Sequence, residues 1–342
     1  MRKNTVRLGI IFALTILFLF FFFRSVDWRE VYRYLVDVNV WLFIATILIA
    51  PLHLVTRAYR WQFLLHQEKK NVNFYNMFAG NAVGFTFNFI FPGRLGELIK
   101  PLYLAQKEGI RKGFAIGTVV VERIFDMFTM CALLGLFMIA RPLFASIFQV
   151  NDEAYHNLNF WGLVGLAFAS GLLFFSLGLY FFREKTLALV TFVLRPFPQK
   201  FTARVLKLSD EFIAGLKFFH SLKSLLLYAL FSFVVWLGII FYYWVFFAAF
   251  RIRLPFFVLF PYVFLTMVGA SIPTPGMVGG FHYFSKLGMT QLYGTDPNQA
   301  VGVTIVVHAL QVVVTCLVGY AILWKEGLSL FQLKKLGEDA ET

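Results

Sequence analysis

Charge is scarce in this 342-residue chain: Asp, Glu, Lys and Arg together make up 14% of it. A water-soluble domain carries roughly 25%, so this composition excludes an ordinary soluble surface. Acids are scarcer still, 18 against 31 basic residues, for a formal charge of +13. In a soluble protein that imbalance would suggest nucleic acid. In an apolar chain it points instead to cytoplasmic loops rich in Lys and Arg, beside anionic lipid heads, and no nucleic-acid partner is expected. Only two cysteines occur, Cys131 and Cys316, each inside an apolar run, which excludes a disulfide or metal framework. Several other patterns are missing. No His, Cys, Asp or Glu set has metal-ligand spacing, and no Ser, His and Asp arrangement suggests a nucleophile. No glycine-rich loop is present that would cradle a nucleotide. No catalytic residue, metal or cofactor is therefore expected, and direct use of ATP is disfavoured.

What the chain has in abundance is apolar sequence, with 59% hydrophobic residues and a mean hydropathy of +0.73. Runs of roughly 18 or more uncharged apolar residues read as bilayer spans. Such runs lie at about 8–23, 40–56, 160–182, 225–250 and 300–324, and 113–140 reads as a further span interrupted by Glu122, Arg123 and Asp126. The expected architecture is an all-α polytopic membrane protein with about six full transmembrane helices, a single membrane domain over 1–342. Arg2, Lys3 and Arg7 place the N-terminus inside, and no small-residue cleavage site follows the first run. Residues 27–38 alternate Trp28, Val31, Tyr32 and Leu35 with charged residues, the pattern of an interfacial amphipathic helix. Arg57 and Arg60 follow the second run and read as its cytoplasmic exit. Residues 141–157 hold little positive charge and should lie outside. The loop 183–223 contains eight Lys or Arg against three acids, the strongest cytoplasmic marker in the chain. Part of that loop, with Val205, Leu208, Phe212 and Leu216 at helical spacing, reads as an amphipathic surface helix. The tail 325–342 is expected on the same side, which gives a multi-pass protein of a bacterial inner membrane with both termini cytoplasmic.

Two apolar segments do not run through. Residues 74–91 stop at Pro92-Gly93, and 256–272 stop at Pro273-Thr274-Pro275-Gly276. Proline removes a backbone donor and glycine admits left-handed dihedrals, so each break ends a helix. Within a bilayer such irregular backbone is tolerated only where it is buried in protein or lines a wet cavity. Basic residues flank 74–91 on both sides, and the charge rule requires 256–292 to enter and leave on the outer side. Each is therefore read as a re-entrant broken helix. They occupy corresponding places in two halves, 1–140 and 158–324. Paired Gly/Pro-broken segments point to an inverted-repeat transporter with its site at the repeat interface.

Ionisable residues inside apolar sequence are costly and mark function or internal pairing. Glu122 and Asp126 stand at i and i+4 on one helical face, with Arg123 within reach of Asp126. An internal ion-pair lock and a polar path for a lipid headgroup are both open readings. Arg94, Glu97 and Lys100 follow the first break at i, i+3 and i+6. An anion there would meet free N–H groups, the positive end of a helix dipole and Arg94. Lys100, Lys107, Arg111 and Lys112 read as interface anchors. His282 and His308 read first as hydrogen-bonded structural groups and second as proton-relay groups.

Three blocks resemble the lysylphosphatidylglycerol synthetase/flippase transmembrane family. Pro92-Gly93-Arg94-Leu95-Gly96-Glu97 matches its Pro-x-Arg-x-Gly-Glu element, and Glu122-Arg123-Ile124-Phe125-Asp126 its Glu-Arg-x-x-Asp element. Pro273-Thr274-Pro275-Gly276-Met277-Val278-Gly279 matches its Pro-x-Pro-Gly-Gly-x-Gly turn. Order and spacing agree across nearly the whole chain. Met277 departs from the family's usual second glycine, and His282 stands where a glutamate is common. Only about 18 residues follow Trp324, too few for the family's soluble aminoacyl-transferase domain. The resemblance therefore implies the flippase half alone.

The expected function is movement of an anionic or phosphate-bearing lipid, a phospholipid or polyprenyl-phosphate lipid, between leaflets. The alternative is a membrane-embedded accessory subunit or enzyme of lipid or glycan synthesis. Expected headgroup-binding residues are Asn88, Arg94, Glu97, Glu122, Arg123, Asp126 and His282, with Arg94 and Arg123 on phosphate and the carboxylates holding those arginines. Pro92, Gly93, Pro273, Pro275 and Gly276 are expected to keep the half-helix ends open. A homodimer or a separate lipid-modifying enzyme is a possible partner.

Overall fold

The computed structural model describes residues 13, 15–24, 26–140, 152–216 and 222–329. Much of the expected first span, part of the outer loop at 141–157 and most of the tail lie outside these. Among the described residues the regular structure is entirely helical. A first helix, α1, covers 15–23, and α2, Trp28–Val36, follows it, capped by Asp27, whose side chain accepts from Arg29 N. Then come α3 (Val40–Ile49) and α4 (Leu52–Leu65), joined at Ala50-Pro51 into one apolar stretch. Next are α5 (Phe74–Ile90), α6 (Gly96–Glu108), α7 (Lys112–Ala140) and α8 (Asp152–Phe181). α9 (Arg183–Val193) and α10 (Gln199–Gly215) fill the basic loop. The chain continues with α11 (Leu222–Ala249), α12 (Leu259–Ser271), α13 (Gly280–Tyr293) and α14 (Pro297–Lys325).

Among the described residues five stretches are long and apolar enough to cross a membrane: Val40–Leu65, Lys112–Ala140, Gly162–Phe181, Leu222–Ala249 and Pro297–Lys325. They correspond to five of the six expected spans, and the protein is an all-α multi-pass membrane protein. α4 corrects one boundary. Helix does not end at Thr56; it continues to Leu65, carrying Arg57 and Arg60 into the protein interior.

Both broken segments are antiparallel helical hairpins. In the first, Gly80 faces Tyr103 and Gly84 faces Gly96 and Lys100, so α5 and α6 run side by side from the turn at Pro92–Arg94. In the second, Tyr262 faces Gly288, and Gly269 faces Gly280 and Phe284, so α12 and α13 fold back from the turn at Pro275–Met277. Small residues at both crossings let the backbones approach, as membrane helix packing requires when there is no hydrophobic drive between helices.

α14, about 43 Å long at 29 residues, serves as a ruler for both hairpins. Near its start, Thr304 Oγ1 lies 2.7 Å from Ser285 Oγ of α13. One turn on, His308 Nε2 lies 3.0 Å from the Gly276 carbonyl at the second turn. Further along, Thr315 O accepts from Thr86 of α5. At the far end Glu326 accepts from Tyr103 of α6, at 2.6 Å. The hairpins thus approach from opposite ends of α14, and their tips meet: a Cβ on Gly276 would sit 3.0 Å from the Phe89 carbonyl oxygen.

The basic loop is less superficial than its amphipathic pattern suggests. α10 packs closely on α7, with Gly113 against Leu208 and Glu211, and Gly117 against Phe212 and Gly215. Glu211 is buried and accepts from Gly113 N at 3.0 Å. A small-xxx-small pair in α7 provides the seat.

Candidate functional site

The site grows from α7. Its apolar register buries Glu122 and Asp126 one turn apart. Each must then be met by a cation or donor, because an unpaired buried carboxylate costs several kcal/mol. α4 supplies two. Arg60 Nη1 donates to Asp126 Oδ1 at 2.6 Å and Nη2 to Glu122 Oε1 at 3.4 Å. Arg57 Nη1 donates to Asp126 Oδ2 at 3.3 Å. α6 supplies Lys100, which binds Glu122 Oε2 and lies 4.3 Å from the Trp61 ring centre. Trp236 of α11 completes Asp126 with a bond of 2.9 Å from Nε1 to Oδ1.

Arg94, Glu97 and Arg123 form the half-exposed front of this cluster. Glu97 Oε1 lies 3.6 Å from Arg94 and 3.5 Å from Arg123, and Arg123 reaches Asp126 Oδ2 at 3.3 Å. Arg94 has φ 57°, a left-handed conformation for a residue with a side chain, which costs roughly 1–3 kcal/mol. Five cations (Arg57, Arg60, Arg94, Lys100, Arg123) face three carboxylates (Glu97, Glu122, Asp126). The formal excess is two positive charges. The Nε atoms of Arg57, Arg60, Arg94 and Arg123 are buried and unpaired.

A cavity of about 520 Å³ opens beside this cluster. Arg57, Arg94, Arg123 and Asp126 line one side, and Thr266, Tyr242, Tyr243, His308 and Gln311 line the side nearer the second hairpin. Phe89 and Met277 bring both tips to its wall. Much of the remainder is aliphatic or aromatic. The exposed residues of its lining are Leu52, Val234, Gly238, Phe241 and Ser271, the three large apolar ones being 52%, 48% and 42% exposed. The mouth is therefore largely apolar and lies mainly on helices long and apolar enough to cross a bilayer.

The expected residues divide in this geometry. Arg94, Glu97, Glu122, Arg123 and Asp126 come together in one network. Glu122, however, pairs with Lys100 and Arg60, whereas Glu97 and Asp126 hold Arg123. Lys100, expected as an interface anchor, is buried inside the network. Asn88 is buried against Gly96 with its Oδ1 unpaired, off the cavity wall. His282 is also off that wall, its ring centre 4.6 Å from His308 and 5.1 Å from Phe22. Pro92 and Gly93 build the first turn, and Pro275 and Gly276 the second, with Pro273 in the short segment before it. Arg57 and Arg60 were missed, although Leu54, Ala58, Trp61 and Leu65 repeat at helical spacing around them. That apolar stripe was the available signal that helix continued past Thr56.

Among the described residues no group of three His, Cys, Asp or Glu side chains could hold a metal ion. No solved structure matches this chain. A UPF0104 membrane protein of Methanocaldococcus jannaschii is 28% identical over 128 residues, which is 37% of this chain and 38% of that protein's length. The model of the lysylphosphatidylglycerol synthase TM region matches residues 6–319, the stretch that holds both hairpins and the charged network, and the chain belongs to that family.

Proposed function

We propose that this protein carries a phosphate-bearing lipid between leaflets, without chemical change to it, the headgroup passing through the cavity between the hairpin tips. The carrying observation is the union of an arginine-rich wall and an apolar, laterally exposed mouth. A soluble anion would be served by the first feature alone; the second suits acyl or prenyl chains that stay in the hydrocarbon. A phosphate near Arg94 and Arg123 would offset the excess positive charge. It would also take charge-assisted hydrogen bonds from their guanidinium groups, which suit phosphate better than an ammonium does. The basic loop at 183–223 would face the cytoplasm of a bacterial inner membrane, with anionic lipid beside it.

The test is reconstitution into liposomes with labelled phospholipid or polyprenyl-phosphate lipid, scored by loss of label from one leaflet. Crossing is expected, and Arg94→Ala and Arg123→Ala should each lower its rate about tenfold, the loss of one charge-assisted phosphate contact. Arg94 is a safe probe of this, because its single ion pair is long and part-exposed and worth at most about 1 kcal/mol. Absence of crossing for every such lipid, or wild-type rates in both variants, would overturn the proposal.

A further inference from the structure

The cavity's two sides differ in one respect that bears on which headgroup it takes. Asp126 is the only carboxylate on its wall among the described residues. Its two oxygens receive Arg60 and Trp236 on one atom and Arg57 and Arg123 on the other. A carboxylate has about four lone-pair sites, so Asp126 is saturated. Glu122 is closed off behind the wall by Lys100 and Arg60. Glu97 lies off the wall, bracketed by Arg94 and Arg123. No acid is left to receive an ammonium group.

Beyond the arginines the polar lining is neutral. Tyr242 is buried with its hydroxyl unpaired. Gln311 donates to the Tyr243 hydroxyl at 3.1 Å, which leaves its amide oxygen for another donor. His308 donates through Nε2 to the Gly276 carbonyl. An ammonium brought here would lose its hydration without gaining a counter-charge, in a site that is already net positive, and that is strongly unfavourable. A hydroxyl would find partners of matched strength.

We infer, on the reading of the site as a lipid-phosphate passage, that it selects lipids with a neutral, hydroxyl-bearing group beyond the phosphate and rejects amine-bearing heads. The substrate class is a glycerol- or sugar-type phospholipid or polyprenyl phosphate.

Two measurements on the full chain test this. The first is crossing in liposomes that contain labelled phosphatidylglycerol, phosphatidylethanolamine or lysine-esterified phosphatidylglycerol. Phosphatidylglycerol should cross at least about tenfold faster than either amine lipid, a ratio that one unpaired buried charge easily exceeds. Equal or faster crossing of the amine lipids overturns the selection while leaving lipid transport intact. The second does not depend on transport: the melting temperature in detergent with each lipid added, where phosphatidylglycerol should raise it and phosphatidylethanolamine should not. If phosphatidylglycerol stabilises selectively but nothing crosses, the selection stands and the transport reading fails. If neither lipid shifts melting and neither crosses, both fail. Tyr242→Phe removes an unpaired hydroxyl without disturbing a bond seen here. It should lower the rate for phosphatidylglycerol about threefold to tenfold relative to phosphatidate, which has no hydroxyl beyond its phosphate. An unchanged ratio overturns the assignment of Tyr242. Gln311→Glu, which sets a carboxylate beside Tyr243, should raise the relative rate of phosphatidylethanolamine; no change in that ratio counts against the charge argument.

Discussion

The two hairpins share a Pro-Gly turn and glycine crossings but carry very different side chains. Each turns on Pro-Gly-X with the glycine left-handed, φ 80° and ψ 16° at Gly93 and φ 60° and ψ 16° at Gly276. Each follows it with a non-glycine residue in the same region, Arg94 at φ 57° and Met277 at φ 59°. Each crosses at a glycine pair, Gly84 with Gly96 and Gly269 with Gly280, and each ends its second helix at a left-handed glycine, Gly109 or Gly294. Yet α6 presents Glu97 and Lys100 to a charged network, while the interior face of α13 carries His282 and Ser285. Ser285 joins only a hydroxyl chain, with Tyr262 at 2.8 Å and Thr304 at 2.7 Å. The pairing of hairpins therefore rests on turn geometry and small residues, and the ion chemistry is grafted onto one of them.

Removing the centre of each network should expose that inequality most strongly. Asp126→Ala leaves Arg57 and Arg60 buried with too few acids, a loss of about 3–5 kcal/mol. Ser285→Ala removes a neutral hydroxyl from its chain and should cost about 1 kcal/mol. Thermal unfolding in detergent compares the two, and equal losses would show that the charged half is not the more strained.

The shared part of the design should respond more evenly. A Cβ on Gly96 would overlap the Gly84 carbonyl oxygen, and one on Gly280 would lie 2.5 Å from the Gly269 carbonyl oxygen. Both contacts are with backbone, which cannot rotate away. Overpacking of this kind costs about 1–3 kcal/mol, so Gly96→Ala and Gly280→Ala should both destabilise, Gly96→Ala the more. A tolerated alanine at either position would mean that its hairpin is looser than the packing indicates.

How much of this was legible in the sequence follows from what is local in it. The breaks were visible because Pro-Gly inside an apolar run has one meaning wherever it falls. The grouping of Arg94 with Glu97, and of Arg123 with Asp126, was visible because each pair is three residues apart. Arg57 and Arg60 were not, since their partners lie 62 to 69 residues away and the run of uncharged residues ended just before them. Cations after a span look the same whether they enter a headgroup layer or a protein interior; only their neighbours decide. Lys100 was hidden for the same reason, its partner Glu122 being on another helix. The seating of α10 could have been read from Gly113 and Gly117, a small-xxx-small pair that marks close helix packing.

The smallest difference between the hairpins should appear at their bases, and it depends on pH. The first is pinned at Glu108, which accepts from Lys69 Nζ at 2.6 Å, from Asn76 Nδ2 at 2.6 Å and from Asn73 N at 3.2 Å. Burial works against the charge of Glu108, but these hydrogen bonds outweigh it and hold the carboxyl below the ordinary glutamate range. The second base is pinned by a neutral bond of 2.8 Å from Tyr293 Oη to the Val258 carbonyl. A carboxyl with a lowered folded-state pKa stabilises the fold above its ordinary value, about 4.3, and that contribution is lost as pH falls through the lowered value. Lys69 is half-exposed, which limits the effect to about 1 kcal/mol or less. Glu108→Gln should thus reduce stability slightly at pH 7 and abolish the part of the acid dependence that this group supplies below about pH 4. Tyr293→Phe should lower stability by a similar amount at both pH values. Acid-dependent melting that is identical in wild type and Glu108→Gln would place the pH sensitivity elsewhere and leave the two bases equivalent.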